Sequence, residues 1–552
     1  MGERWERDGK ISSVVMGLII VILVQCGHSL GMKRSTPIDA IVIGTGPGGC
    51  AAARTLSKNG MRVVMLERGS RVASTGCMTS CGEHSACAIL ARSCAVQRVP
   101  SNNDNLCDPC IPLSGVIAPD ALGGGSAVNF GVWVAPSIQD LKSAFPERMR
   151  TDDLIEEYLR EIDANAANSS ITLTNFQKRA AQTLDPQVMQ RDYVTKGQRR
   201  TLQRTHANHL TFNRHLRQNE GGGGGRMTTW DSLVNTTNVE TRLHYDAEKI
   251  EYHKTTDEWT VVPWKEGGNG NTPLKAKKIF LACGAIETPA LLMRSFRLDQ
   301  LSEHVGRHMQ THDQSSTVLP AWNGKFFGER GGGDGDGNGI SHMEETAQKG
   351  THPIAFIYAN KDGTSSAELM ETSSSFSCAS RCANMCTPRT FGSAVCCAML
   401  PPHGLLWSCC YNDARLQIFR DSECGSVGVQ PNGKAFINRP TSSSLQTKKA
   451  IDHREAVLRN LVDITKNPIR GAFVTSWHYV GTMRAPETDA QSPRDAAVDL
   501  SCRVLDVSQN PIPNLYVADA SIARKVSLGN TMSLAAYAGF VAAKRSLEIS
   551  PR

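Results

Sequence analysis

A glycine-rich turn set between two short apolar segments constrains this chain more than any other feature. Residues 40–43 and 61–66 are mainly apolar runs with the length of buried strands. Between them lies the run Gly44-Thr-Gly-Pro-Gly-Gly49 and then a stretch of small residues that predicts a helix. Glu67 ends the second run, about 20 residues beyond the glycines. This order of strand, Gly-x-Gly-x-x-Gly turn, helix, strand and acid predicts a dinucleotide-binding unit.

Each member of this pattern has a physical task. Gly44 is expected to make the tight turn, Gly46 to let backbone N–H groups approach a pyrophosphate, and Gly49 to let the helix pack closely on the strand. The helix N-terminus supplies positive potential for the phosphates. Glu67 is expected to accept hydrogen bonds from a ribose diol. The turn alone does not decide between FAD and NAD(P).

Two further glycine-rich segments, residues 122–131 and 278–292, favour FAD. A nicotinamide domain has no use for another loop of exposed backbone, whereas a flavin that stays bound must be covered along its whole length. Either segment by itself could be a surface turn. Gly124 and Ser126 in the first segment are predicted to contact the cofactor.

These segments resemble the signatures of the glucose-methanol-choline (GMC) family of flavin oxidoreductases. The matching blocks occur in the family's order and cover somewhat under a third of the chain: 123–131, 284–292, 305–312, 477–483, 514–521 and 529–530. Within the family, the glycine pattern and the Gly-Pro-Gly-Gly turn most resemble the cellobiose dehydrogenase flavin-domain type.

The resemblance implies an oxidation with a histidine base. His478 stands at the position of the family's active-site histidine, and imidazole, whose ordinary pKa is near neutrality, suits removal of a hydroxyl proton while hydride leaves for flavin N5. Asn530 stands at a helix start, where its amide would hold the substrate oxygen and contact FAD. The alternative for Asn530 is an ordinary N-cap, and a histidine is more often structural than catalytic.

The resemblance also assigns further residues to the cofactor. Asp519, with Ala520 beside it, is expected to bond the ribityl chain; a helix or turn cap is the alternative for this carboxylate. Asn129 is expected to touch the isoalloxazine ring. Ala247 is expected to meet the adenine through its backbone.

Departures from the family pattern leave the substrate undefined. The family's proline after its Asp-Ala-Ser run is missing, with Ala523-Arg-Lys525 there instead, and Thr531 replaces the proline after Gly-Asn. Both positions are expected to lie where the loop faces substrate. Substrate identity therefore does not transfer from the family.

The spacing of the flavin blocks predicts an α/β protein, α+β overall, with a Rossmann-type FAD-binding domain that is discontinuous in sequence. Residues 36–150, 225–315 and 485–552 are assigned to this domain. Residues 151–220 and 316–480 are assigned to a sheet-and-helix domain that covers the substrate.

The amino terminus predicts entry into the secretory pathway. Residues 1–30 have a charged start, an apolar run at 14–24, and small residues at Gly27 and Ser29, which is the build of a cleaved signal peptide. The apolar run is shorter than the roughly 20 residues that cross a bilayer. The alternative is a membrane anchor through residues 14–24.

Cysteine placement agrees with a secreted protein. Of the 18 Cys, six fall between residues 77 and 110 and eight between residues 378 and 424. Even-numbered clusters predict disulfide-stapled loops in an oxidising compartment. Only Cys107 and Cys110 have CxxC spacing, and they lack an evident partner pair, so no metal site is predicted.

Composition is that of an ordinary globular protein, with 40% hydrophobic and 20% charged residues. The net charge of +7 is small for 552 residues. It does not favour nucleic-acid binding, which would require a basic face with reading elements. The expected partners are a small alcohol or sugar substrate and an electron acceptor, which could be oxygen, a quinone or a cytochrome.

Three classes of function remain open from the sequence. The first is a FAD-dependent oxidase or dehydrogenase acting on the CH–OH group of an alcohol or sugar. The second is a GMC-fold lyase in which FAD is structural and His478 performs acid–base chemistry. The third is a non-catalytic secreted binding protein, against which the joint presence of His478 and Asn530 argues.

Overall fold

The structure is a computed structural model. It describes residues 37–71, 96–99, 117–129, 132–134, 138–167, 183, 210–212, 214–215, 227–264, 271–319, 354–359, 365–372, 413–438, 444–461, 469–475, 478–489, 495–527 and 529–549. The predicted signal segment and nearly all cysteines of the two clusters lie outside these residues. Within the described part of the chain, no helix is long and apolar enough to cross a membrane.

Twenty strands are described: β1 (Ala40–Ile43), β2 (Val63–Leu66), β3 (Val96–Arg98), β4 (Ile117–Pro119), β5 (Val132–Trp133), β6 (Leu210–Phe212), β7 (Arg214–His215), β8 (Glu240–Arg242), β9 (Ala247–His253), β10 (Glu258–Pro263), β11 (Leu274–Ala276), β12 (Lys278–Leu281), β13 (Met309–Leu319), β14 (Ile354–Ala359), β15 (Ser365–Thr372), β16 (Asp413–Val429), β17 (Ala435–Asn438), β18 (Ile469–Thr475), β19 (Arg503–Leu505) and β20 (Pro511–Val517).

The described helices are α1 (Pro47–Lys58), α2 (Gly125–Val128), α3 (Ile138–Ala144), α4 (Asp152–Tyr158), α5 (Ala164–Ala166), α6 (Thr229–Leu233), α7 (Gly284–Ser295), α8 (Ser444–Asn460) and α9 (Met532–Ile549). A π-helical stretch, Leu159–Asp163, joins α4 to α5. Short 3-10 turns cover Glu147–Met149, Leu298–Gln300 and Ala520–Ile522.

A six-stranded sheet forms the centre of the dinucleotide-binding region, in the order β19-β20-β12-β1-β2-β8. All its strands except the antiparallel edge strand β19 run parallel. Every residue of β1, β2 and β12 is buried, which is why these strands are apolar runs apart from Lys278, whose ammonium donates to the Ser546 carbonyl oxygen. The predicted α/β architecture is confirmed, with β2 beginning at Val63, two residues later than the sequence predicts.

A second, antiparallel sheet has the order β18-β13-β16-β15-β14-β6, with β17 also paired to β16. Helix α8 contacts β15 and β16. A separate three-stranded sheet, β11-β10-β9, has Trp259 buried at its centre. The segment from α4 to α5 packs in the core with α9, where Tyr158 contacts Tyr537 at 5.1 Å between ring centroids. Its assignment to the substrate-covering domain stays a prediction.

Helices α1 and α9 cross with their backbones in contact. A Cβ atom at Gly539 of α9 would collide with the carbonyl oxygen of Gly48 in α1. A Cβ atom at Gly48 would collide in turn with the carbonyl oxygen of Ala518, just beyond β20. The two glycines therefore allow the carboxy-terminal helix to lie directly on the first helix and beside the sheet.

Replacing Gly539 with alanine should lower the free energy of unfolding by about 1–3 kcal/mol, because the added methyl group must displace backbone. Helix propensity alone predicts the opposite sign, a gain of about 1 kcal/mol. Urea unfolding of the variant checks this. Gly428→Ala is the matched control, since an added Cβ there meets no described atom within 4 Å. An unchanged or higher midpoint for Gly539→Ala would contradict the close helix crossing.

Candidate active site

The predicted phosphate-binding turn lies at the carboxyl end of β1. Gly44 has φ of +105°, and a Cβ atom there would collide with the carbonyl oxygen of Ala282. A Cβ atom at Gly49 would collide with the carbonyl oxygen of Gly44. The tight turn and the close helix contact that the sequence predicts for these two glycines are both present.

Gly46 is different because it faces open space. It is the N-cap of α1, with an ordinary φ of −63°, and an added Cβ would meet no described atom within 4 Å. Gly124, with φ of +53°, lies directly against Gly46. The helix N-terminus and the second glycine-rich loop thus enclose a space lined by backbone, which suits a pyrophosphate.

Glu67, the residue after β2, is a buried carboxylate held by the same turn. It accepts hydrogen bonds from the Gly69 N–H at 2.9 Å, the Thr45 N–H at 3.3 Å and the Thr45 hydroxyl. Burial raises the pKa of Glu67, and these hydrogen bonds act to lower it. The Thr45 hydroxyl also accepts from the Gly123 N–H at 2.9 Å, so it links the predicted ribose acid to the second glycine-rich loop.

The predicted loop residues Ser126 and Asn129 lie on α2 and at its end. The Ser126 hydroxyl lies 2.6 Å from the carbonyl oxygen of Gly123 and accepts the N–H of Thr229 at 3.0 Å. These contacts fix the loop to α6. The Asn129 amide nitrogen lies 3.5 Å from the sulfur of Met532, at the start of α9. The loop is thereby held between α6 and α9.

Asp519 joins two chain segments at the carboxyl ends of β12 and β20. Its carboxylate accepts the Gly284 N–H at 2.9 Å, the Thr288 hydroxyl at 2.6 Å and the Ser521 N–H at 2.8 Å. Burial raises its pKa, and these hydrogen bonds act to lower it. The structure therefore gives Asp519 the capping task that was the sequence alternative; its contact with a ribityl chain stays a prediction.

The remaining predicted cofactor residues lie on either side of this region. Ala520 is buried in the 3-10 turn that follows Asp519. Ala247 is the buried first residue of β9, and its carbonyl oxygen lies 3.4 Å from a guanidinium nitrogen of Arg294. The contact of its backbone with adenine stays a prediction.

Backbone pairing explains the position of His478. Gln310 and Val480 exchange two backbone hydrogen bonds of 2.9 Å in an antiparallel bridge. Because the bridge is antiparallel, His312, two residues after Gln310, lies opposite His478, two residues before Val480. Directly opposed residues on antiparallel chains present their side chains on one face about 5 Å apart. The chain from Val480 onward is then clamped on its other side, where the Met483 N–H donates to the Ser521 carbonyl at 2.9 Å.

Three side chains meet at this point. The Nδ1 atoms of His312 and His478 are 3.0 Å apart, and the two rings are nearly perpendicular at 85°. Asn530 forms a side-chain hydrogen bond with His478. The predicted catalytic residues His478 and Asn530 are therefore together, and His312 completes the cluster.

The electrostatics of the cluster keep both rings neutral at neutral pH. Burial lowers the pKa of His478 to about 4, although its hydrogen bond with Asn530 acts to raise it. Burial also lowers the pKa of His312, and repulsion from His478 lowers it further. A neutral imidazole has a free lone pair on one nitrogen, as a general base requires.

Arg524, one of the departures from the family pattern, is engaged elsewhere. Its guanidinium donates to a carboxylate oxygen of Asp495 at 2.8 Å and to the carbonyl oxygen of Ala485 at 2.9 Å. Arg524 thus ties its loop to the segment from Ala485 to Asp495, and the expectation that this loop faces substrate stays a prediction.

Sequence reasoning missed several residues that shape the site. Thr45, Gly48, Thr288 and His312 all lie inside quoted motifs, yet none was assigned a task. Their contacts are with residues far away in sequence; His312 and His478, for example, are 166 positions apart. For His312 a signal was present in the sequence, because it is the second histidine, after His308, of the block 305–312 that resembles the family.

Comparisons with known proteins identify the family. Two family models described as GMC oxidoreductase match residues 113–314 and 433–539, together more than half of the chain. A model described as an NAD(P)-binding Rossmann-like domain matches residues 42–88. The chain belongs to the GMC oxidoreductase family.

Individual relatives are distant. The uncharacterised GMC-type oxidoreductase y4nJ of Sinorhizobium fredii is 25% identical over 302 residues, which cover 52% of this chain and 54% of that protein. The chain thus spans about half the length of this curated relative. A variant formate oxidase of Aspergillus oryzae shares the fold with a TM-score of 0.61 and 15% identity, covering 93% of this chain and 98% of that one. Pyridoxine 4-oxidase from Mesorbium loti shares the fold with a TM-score of 0.57 and 13% identity, covering 93% of this chain and 100% of that one.

FAD is the cofactor that the family and its flavin-enzyme neighbours assign to the chain. The open space at Gly46, the α1 N-terminus and the buried acid Glu67 fit its pyrophosphate and ribose. Among the described residues, no group of three or more His, Cys, Asp or Glu is placed to hold a metal ion. The cysteines described as free thiols are Cys50, Cys283 and Cys502, all outside the two predicted disulfide clusters.

Replacing Gly46 with valine should abolish FAD retention while the protein still folds. The added side chain enters the space predicted for the pyrophosphate, and the ordinary φ of Gly46 costs nothing. Flavin absorbance per mole of purified protein, together with the urea midpoint of the apoprotein, measures both effects. Gly428→Val serves as the control. A Gly46→Val protein that folds and retains stoichiometric FAD would place the pyrophosphate elsewhere.

Proposed function

We propose that the protein oxidises the CH–OH group of a small alcohol or sugar, with FAD as hydride acceptor and His478 as base. The cluster of His478, His312 and Asn530 supports the proposal, because the partly buried, neutral His478 lies there beside a hydrogen-bonding amide. This cluster belongs to a chain of a flavin oxidoreductase family.

The proposed reaction is a two-electron oxidation of the substrate alcohol to a carbonyl compound. His478 takes the hydroxyl proton, the carbon–oxygen single bond becomes a double bond, and the hydrogen on carbon leaves as hydride with both electrons of the C–H bond. Bound FAD supplies the acceptor for that hydride at N5. The Asn530 amide holds the substrate oxygen while the proton leaves.

The neighbours support a redox function without defining the substrate. By name, one is an oxidase of formate and another an oxidase of pyridoxine. At 15% identity or less, their likeness to this chain is one of fold. Assignment to the cellobiose dehydrogenase type rests on the Gly-Pro-Gly-Gly turn alone. The electron acceptor that reoxidises the flavin is likewise not defined.

The lyase alternative is distinguished by the flavin itself. An oxidoreductase bleaches its oxidised flavin spectrum when substrate is added without an electron acceptor, whereas a lyase with structural FAD leaves the spectrum unchanged. A binding protein would leave it unchanged and convert nothing.

Replacing His478 with alanine should leave FAD binding intact and slow flavin reduction by roughly 10²–10⁴-fold, the usual contribution of a positioned base. Asn530→Ala should slow flavin reduction less, because it removes a hydrogen bond and leaves the proton acceptor in place. Anaerobic stopped-flow reduction by the best alcohol measures both. His253→Ala is the matched control, since that ring hydrogen-bonds Thr260 on the separate three-stranded sheet.

The pH profile gives an independent check on the same residue. A protonated imidazole has no lone pair, so the wild-type rate should fall as the pH drops through the His478 pKa of about 4. The His478→Ala variant should lack this limb. Wild-type speed in His478→Ala would mean that the histidine marks only common ancestry.

We also propose that the protein enters the secretory pathway and carries disulfides within residues 77–110 and 378–424. The support is the apolar run at 14–24 and the even number of cysteines in each cluster. Mass mapping of protein from its native host without reduction should find few free thiols in either cluster. Clusters that alkylate completely would defeat the disulfide proposal, and a precursor retaining residues 14–24 in membranes would favour the anchor.

A further inference from the structure

We propose that Thr45 is a positioning residue for FAD: its hydroxyl holds the Glu67 carboxylate so that one site, on Oε1, is left for the adenosine ribose. Glu67 then bonds one of the two ribose hydroxyls and not both. The inference goes beyond the proposed function, because it concerns binding of the cofactor and not the reaction. It rests on the predicted contact between Glu67 and the ribose.

The chemistry of its two partners fixes the direction of each hydrogen bond at the Thr45 hydroxyl. The backbone N–H of Gly123 lies 2.9 Å from the hydroxyl oxygen, and a backbone N–H only donates. Among the described residues, the other partner of the hydroxyl is Oε2 of Glu67. The hydroxyl therefore accepts from Gly123 and donates its own proton to Glu67. Both side chains are buried, so water does not compete for these bonds.

A count of acceptor sites on Glu67 shows what is left for the ribose. A carboxylate has about four lone-pair sites, two on each oxygen. The Thr45 hydroxyl occupies one site on Oε2, and the Thr45 N–H, at 3.3 Å, occupies the second. The Gly69 N–H occupies one site on Oε1 at 2.9 Å. One site on Oε1 remains.

Protonation of the acid does not change this count. Three of the four sites face groups that donate to them, so a proton on Glu67 would have to occupy the remaining site on Oε1. The acid would then donate to a ribose oxygen from that same site. In either state, Glu67 has one position at which it bonds the ribose.

The carboxylate is held at the edge of the space predicted for the cofactor. Gly46, where an added Cβ meets no described atom within 4 Å, directly follows Thr45, and Gly124, which lies against Gly46, directly follows Gly123. The Thr45 hydroxyl thus ties together the acid, the first turn and the second loop. A group fixed before the ligand arrives loses less freedom on binding, so Thr45 should strengthen FAD binding without contacting FAD.

Two analogues of FAD, one with 2′-deoxyadenosine and one with 3′-deoxyadenosine, test the single contact. Quenching of flavin fluorescence during titration of the apoprotein gives the Kd of each. One analogue should bind about 10–100-fold more weakly than FAD, as expected for loss of one hydrogen bond to a charged or buried group, and the other should bind like FAD. Equal Kd values for the two analogues, whether or not both are weakened, would overturn the proposal.

Variants at Thr45 test the positioning role. Thr45→Val keeps the shape and removes the hydroxyl, so Oε2 of Glu67 is held only by the longer backbone bond and the carboxylate can turn. FAD should bind about 10-fold more weakly, and the ratio of the two analogue Kd values should fall toward one. Thr45→Ser should restore both the affinity and the ratio. In the control Thr260→Val, a buried hydroxyl that bonds His253 is lost, and neither quantity should change.

A uniform loss of affinity for all three ligands in Thr45→Val, with the ratio unchanged, would show that Thr45 only packs the turn and would overturn the positioning role. Circular dichroism identifies a variant that fails to fold. Thr45→Ala then repeats the test, and the wild-type ratio still confirms or overturns the single contact. A protein whose flavin no alcohol bleaches would lose the proposed function, while these affinities would still decide the task of Thr45.

Discussion

Backbone contact at the glycines of the first turn is the constraint on which the rest of the structure depends. Gly44 and Gly48 leave room for backbone at the ends of β12 and β20, and Gly48 also meets Gly539 of α9. Side chains at these positions would push the sheet and both helices apart. Because the contacts hold, the carboxy-terminal helix starts beside the amino-terminal turn, although almost 500 residues separate them in sequence.

This close packing brings together the residues of the proposed catalytic cluster. The start of α9 brings Asn530 to the region where the loop from Gly124 to Asn129 also ends, as the contact between Asn129 and Met532 records. From the other side, the bridge between Gln310 and Val480 brings in the histidine pair. His312 on β13 and Asn530 just before α9 thus reach the same cluster as His478. Burial lowers the pKa of both histidines, so each is neutral at neutral pH and has a lone pair on one ring nitrogen.

Much of the cofactor region could be predicted from sequence because its signals are local. The strand, turn, helix and acid from β1 to Glu67 follow within one short stretch, and three of the four glycines in the turn, Gly44, Gly48 and Gly49, meet backbone that leaves no room for a Cβ atom. Long-range partners could not be read in this way. Asp519 carries a cofactor-like motif but is satisfied by Gly284 and Thr288, more than 200 residues away. His312 became part of the site only through antiparallel register, which the sequence does not encode locally.

The cluster of His478, His312 and Asn530 is proposed to serve oxidation of an alcohol by FAD. Anaerobic addition of a panel of alcohols and sugars to the FAD-loaded protein tests this most directly, with the flavin absorbance followed in time. At least one alcohol should bleach the oxidised flavin and yield one carbonyl product per flavin reduced. The bleaching should be slower when the reacting carbon of that alcohol carries deuterium. Conversion of a substrate with the flavin spectrum unchanged throughout would contradict it.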